Sequence, residues 1–132
     1  MVRRVSASED RDADVRATAR RASERRGAWS EYAAAAALMA KGYRILARRW
    51  ASPLGEIDLI AVRRQRLAFV EVKQRQTLED AHHAITDQQG RRVRDAADLW
   101  LARNKRYLDH EIHFDAVFVL PRRWPRHVEE GL

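Results

Sequence analysis

Gly55-Glu56-Ile57-Asp58-Leu59-Ile60-Ala61 and Phe69-Val70-Glu71-Val72-Lys73 are the two stretches whose reading decides the fold. Both are rich in β-branched and aromatic residues, and only the polar stretch Arg63–Arg66 separates Val62 from Leu67, so together they read as a β-hairpin. If Val62 faces Leu67, Asp58 falls opposite Glu71 and Glu56 opposite Lys73. Strand alternation then puts Glu56, Asp58, Glu71 and Lys73 on one face, with Ile57, Leu59, Ala61, Ala68, Val70 and Val72 on the other.

Two carboxylates opposed across a strand pair stand with Cβ atoms ~5 Å apart. At ~4 Å and an effective dielectric of about 20 their repulsion costs ~4 kcal/mol. A divalent cation offsets that cost, and Mg²⁺ or Mn²⁺ suits oxygen ligands. Lys73 shares the face of Glu71, where an ammonium can orient water or meet charge developing on a phosphate. The plainer reading is a polar strand face with Glu56 and Lys73 as a weak cross-strand ion pair. Against it, the apolar neighbours make both strands look buried, and charges there need a reason.

Working outward, Trp29, Tyr32, Ala33, Ala36, Ala37 and Ala40 recur at helical spacing, which predicts a helix over 28–41 that stops at Gly42. Tyr43–Trp50 reads as a strand, with Pro53 and Gly55 in the turn after it. Residues 76–82 form a polar loop, and Ala84–Arg103 reads as a second helix with Gly90 interrupting its first half. Phe114–Leu120 is a final apolar strand ended by Pro121. The order helix, three strands, helix, strand predicts an α/β fold with a mixed sheet flanked by helices. Residues 1–26 carry eight arginines and five acids among scattered valines, and read as a mobile basic tail. Residues 27–121 form the domain, and 122–132 a C-terminal extension.

With 26 Lys+Arg against 19 Asp+Glu, the net charge of +7 favours a polyanionic partner, nucleic acid first among them. Arg48 and Arg49 at the end of the first strand, and Arg91, Arg92 and Arg94 on the second helix, are candidates to follow a phosphate backbone. With no cysteine, disulfides and thiolate zinc sites are excluded. That suits a cytoplasmic protein, and no apolar run is long enough to span a membrane.

The GEIDLIA stretch joined at this spacing to FVEVK resembles the signature of the bacterial YraN family, assigned to the PD-(D/E)XK nuclease superfamily and likened to Holliday-junction resolvases. The resemblance runs from about Gly27 to Val119 and takes in Glu31, Gly42-Tyr43-Arg44-Ile45-Leu46 and Phe114-Asp115-Ala116-Val117. It implies a restriction-endonuclease-like αβββαβ core and a DNA endonuclease that uses Mg²⁺ or Mn²⁺. Asp58 and Glu71 would be the metal ligands, Lys73 the catalytic lysine and Glu31 a further catalytic acid on the first helix. Gln88 and Gln89 stand where the family often has a lysine, which makes Gln89 a DNA-contact candidate; Ile57 replaces the superfamily's proline. Branched or structured DNA and a homodimer are implied at the family level. The alternative is a non-catalytic nucleic-acid- or protein-binding module on a decayed nuclease fold.

Overall fold

The computed structural model describes residues 27–77 and 86–132 together with Val15, Glu79 and Ala81, and within these a helix runs over residues 27–40 (α1). The tail assigned to 1–26 lies outside the described residues, Val15 apart, as do residues 78, 80 and 82–85. Ala34, Ala35, Ala37 and Leu38 form the buried side of α1, and the small alanines let its backbone approach the sheet closely. The helix ends at Gly42, whose φ of 94° is the left-handed cap that glycine adopts without strain.

Strands β1 (Arg44–Ser52), β2 (Gly55–Arg63) and β3 (Arg66–Gln74) follow as an antiparallel meander. A further helix, α2 (Asp87–Arg103), crosses to β4 (Glu111–Val119), which pairs parallel with β3. A short β5 (Arg126–Val128) adds antiparallel to β4, giving one sheet in the order β1-β2-β3-β4-β5. This is the α/β mixed sheet flanked by helices that the sequence predicts, consistent with a restriction-endonuclease-like core. Residues 126–128, set apart in the sequence within an extension, belong to the sheet.

Element ends differ from the sequence reading for local reasons. The turn after β1 begins at Ser52, whose Oγ accepts from the backbone N–H groups of Leu54 and Gly55, both at 3.2 Å. Helix α2 opens on a capping box: Thr86 Oγ1 accepts from Gln89 N, and Gln89 Oε1 accepts from Thr86 N.

Alternate strand residues feed two cores. Leu59, Ala61, Ala68, Val70 and Val117 pack beneath α1. Ile60, Val62, Leu67 and Phe69 pack beneath α2 against Val93, Ala96, Ala97 and Trp100, with Phe69 edge-on to Trp100 at 5.7 Å. One expected face assignment is overturned. Ile57 joins the α2 core instead of lying beside Leu59, so β2 changes parity between these two residues, at Asp58.

A charged cluster fastens β5 to the α1 side of the sheet. Asp115, fully buried on β4, accepts two hydrogen bonds from Arg66 (2.5 and 2.9 Å), one from Glu130 N (3.0 Å), and pairs with His127 Nε2 at 2.7 Å. Desolvation alone would raise the Asp115 pKa, but the bonds from His127 and Arg66 outweigh it and hold the carboxylate well below its usual range. Its contribution to stability is therefore fully present above about pH 4 and is lost as pH falls toward the depressed value. Asp115→Ala leaves the half-buried Arg66 guanidinium with only the more distant Glu129 and Glu130 carboxylates, and should cost about 3–5 kcal/mol in urea unfolding at pH 7. A loss under ~1 kcal/mol would mean that the cluster contributes little.

Candidate metal and acid site

The site begins where β2 and β3 separate. Their ladder runs from Arg63↔Arg66 to Leu59↔Val70 in the register that the sequence predicts. Past that point the Val72 N–H turns to the side chain across the gap, donating to Asp58 Oδ2 at 2.8 Å. On the other flank, Arg49 stands between the pairs Arg48↔Leu59 and Trp50↔Ile57, opposite Asp58, with a left-handed φ of 50°. A non-glycine residue in that region is uncommon, and here it accompanies the parity change at Asp58.

Helix α1 carries a third acid into the gap. Glu31, Glu56 and Asp58 each offer one carboxylate oxygen to a group whose members all lie within 4.8 Å of one another. Glu31 is buried, Asp58 half-buried and Glu56 exposed, so the cluster opens to solvent on the Glu56 side. Arg49 Nε donates to Glu31 Oε2 at 2.5 Å, and the bond and charge of Glu31 hold the guanidinium pKa above its ordinary value. From β3, Lys73 Nζ lies 3.2 Å from Glu71 Oε1.

Burial, and then the charge of Glu71, push the Asp58 pKa up to about 7, although the bond from Val72 N opposes the rise. Glu31 and Glu56 add smaller increments in the same direction. Asp58 is thus the point at which four carboxylates interact, with Arg49 and Lys73 as the adjacent cations. Strongly perturbed carboxylates with charged partners make this gap a functional-site candidate.

The sequence-predicted residues divide accordingly. Asp58 and Glu31 meet within the close group; Glu71, expected to share the metal with Asp58, is not one of its members and acts on Asp58 through its charge while pairing with Lys73. Register puts Glu56 opposite Lys73, an ion pair only in the plainer reading; in the structure Glu56 joins Glu31 and Asp58, and Lys73 pairs with Glu71. Its position two residues before Asp58 was the available signal. Arg48 lies over the Tyr32 ring at 4.3 Å, and both border a hollow of about 250 Å³ beside Glu31 and Arg49. Gln89 uses its amide in the α2 cap. Arg92 is exposed and backs onto Gly55, whose φ of 150° suits glycine; a Cβ there would meet the Arg92 carbonyl at 3.4 Å. Arg94 lies over the Phe114 ring and donates to the Leu132 carbonyl, and it shares a hollow with Arg91 away from the acids.

Residues 30–119 match the model of the uncharacterised protein family UPF0102. A UPF0102 protein of Bradyrhizobium diazoefficiens is 53% identical over 104 residues, covering 79% of this chain and 78% of the relative. A UPF0102 protein of Mesorhizobium japonicum is 54% identical over 107 residues, covering 81% and 86%. One from Rhodopseudomonas palustris is 54% identical over 102 residues, covering 77% and 80%. None of these names states an activity. No described helix is long and apolar enough to cross a membrane.

The raised Asp58 pKa has a consequence for stability. Between about pH 4 and pH 7 the folded state holds the Asp58 proton more tightly than the unfolded chain does, so its contribution falls as pH rises and is lost above pH 7. In chelator-treated buffer at pH 8, Asp58→Asn should be more stable than wild type by about 2–4 kcal/mol, since the amide oxygen still accepts from Val72 N. At pH 4 the two should unfold at nearly the same urea concentration. Equal stability at both values would remove the electrostatic strain assigned to this carboxylate.

Proposed function

We propose that this chain, which belongs to the uncharacterised protein family UPF0102 (YraN), is a metal-dependent endonuclease that hydrolyses DNA phosphodiester bonds. The observation that carries the reading is the convergence of Glu31, Glu56 and Asp58 within 4.8 Å, beside the Glu71–Lys73 pair. The donor set fits a hard cation: all the ligands are carboxylate oxygens, and burial, reinforced by the neighbouring carboxylates, pushes the Asp58 pKa up to about 7. Asp58 would be the common ligand, with Glu71 on β3 and Glu31 and Glu56 on its other side as the candidates to complete the set. Mg²⁺ or Mn²⁺ held there supplies Lewis-acid chemistry, activating water and offsetting the charge of the phosphate.

The chain's own groups have separable tasks. The Val72 N–H fixes the direction of the Asp58 carboxylate. Glu71 holds Lys73 in place, so that the ammonium faces charge that develops on the phosphate oxygens. Arg49 neutralises Glu31 and limits the repulsion around Asp58. The exposed side of the cluster, at Glu56, is the side from which a phosphodiester would approach.

Supercoiled and branched DNA incubated with Mn²⁺ supply the direct test. Wild type should cleave, and its melting temperature should rise saturably with Mn²⁺. Asp58→Asn should lose both responses. Lys73→Ala should keep the thermal response while cleavage falls by roughly 10²–10³-fold, as expected of a group that acts in the transition state. Salt-sensitive DNA binding indifferent to Mn²⁺ and to Asp58 would instead make the protein a binding module.

A further inference from the structure

An open groove of about 500 Å³ lies between α1 and the segment that follows β4. Trp29 and Trp124 line it and are 69% and 68% exposed, unusual values for the largest apolar side chains. Both lie just outside the segment matched by the family model, although Ala33, Ala36, Gln74 and Val119 of the groove lie within it. Among the described residues no carboxylate lines the groove, and its link to the acid site runs through chain neighbours. Gln74, the residue after Lys73, accepts from Ser30 Oγ at 2.9 Å, and Ser30 lies between Trp29 and Glu31. Gln74 and Val119, paired at the C-terminal ends of the parallel strands β3 and β4, close this end of the groove.

The rim has a definite charge. Arg122 and Arg123 line the groove, both exposed, and among the described residues neither is in an ion pair or hydrogen bond. The segment that presents them reads Pro121-Arg122-Arg123-Trp124-Pro125, and the two prolines fix the backbone on either side of Trp124. Pre-positioned aromatic faces with flanking arginines match the chemistry of a single strand, whose bases expose π-faces and whose phosphates carry charge. A duplex keeps those faces stacked inside and offers nothing to the tryptophans.

We infer that this groove binds an unpaired segment of nucleic acid, with bases stacked on Trp29 and Trp124 and phosphates held by Arg122 and Arg123. Its bearing on cleavage rests on the phosphodiesterase reading of Asp58: the groove would lead a single-stranded arm toward the carboxylates. The binding itself needs neither metal nor Asp58.

The test uses the full chain in EDTA, titrated with an oligodeoxythymidylate of about 15 nucleotides while intrinsic fluorescence is followed. Trp50 and Trp100 pack into the α2 core, so the response comes from the two exposed tryptophans. The single strand should quench emission and a duplex of equal length should not. Trp29→Ala and Trp124→Ala should each weaken binding by roughly 5- to 150-fold, the range expected for one stacked base, with circular dichroism unchanged. Arg122→Ala with Arg123→Ala should lower the salt dependence by one to two phosphate contacts, a log–log slope change of about 0.7 each. Unchanged affinity in both tryptophan variants overturns the inference. So does a dimer in sedimentation that Trp124→Ala converts to monomer without touching oligonucleotide affinity, which would make the groove a self-association face. Failure of the two readings is distinguishable. Asp58-dependent cleavage with tryptophan-independent binding sinks only the groove, and tryptophan-dependent binding without cleavage sinks only the nuclease.

Discussion

The hydrogen bond from Val72 N to Asp58 Oδ2 is the contact on which the candidate site depends. A regular hairpin would have bonded that N–H to a backbone carbonyl and left no room for acids between the strands. Here the ladder stops at Leu59 and Val70, and a side chain takes over the backbone's obligation. A charge-assisted bond of this kind contributes about 1.5–3 kcal/mol, which offsets part of the desolvation of Asp58. The same separation accounts for the change of parity at Asp58, which sends Ile57 beneath α2, and Arg49 opposite it answers with its left-handed backbone. Glu31 then completes the cluster from a helix whose alanines allow close approach to the sheet.

Such a site works against the fold that holds it. Neighbouring carboxylates raise the free energy of the folded state, so stability has to come from elsewhere, as it commonly does where chemistry strains a structure. Two cores on opposite faces of the sheet supply most of it, the aromatic contacts around Phe69 being the largest visible element. The Asp115 cluster illustrates the contrast. It too buries a carboxylate, but one that receives bonds from Arg66, His127 and the Glu130 backbone, and its pKa moves in the opposite direction from that of Asp58. One buried acid is satisfied within the chain; the other is left short of positive charge.

Much of this was legible in the residues. The hairpin register as far as Leu59 and Val70 followed from a four-residue polar gap, and it put Asp58 and Glu71 next to each other at the point where the ladder ends. The resemblance of GEIDLIA and FVEVK to a known signature brought in Glu31, which no local pattern ties to the strands. What escaped was whatever depends on departures from regularity. Alternation assigns Ile57 to the face of Leu59, and only a parity change reverses it. Pairing Glu56 with Lys73 assumes that the ladder continues past Val70, where it in fact ends. Asp115 in the run Glu111–Val119 was a readable anomaly, a charge within an apolar strand, but its partners His127 and Glu130 come from a segment too short and polar to read as a strand.

The two outer strands have a consequence for how copies of this chain can meet. At one edge, β1 carries exposed Arg44, Arg48 and Arg49, shifts register between Ile45 and Ala47, and bends at the left-handed Arg49. At the other, β5 offers only three residues. Charge, bulge and brevity are the means by which sheet proteins discourage a foreign strand from adding to an open edge. The sheet therefore resists continuation into a neighbour, so edge-to-edge aggregation is disfavoured, and any association of two copies would have to use a helical face or a loop surface.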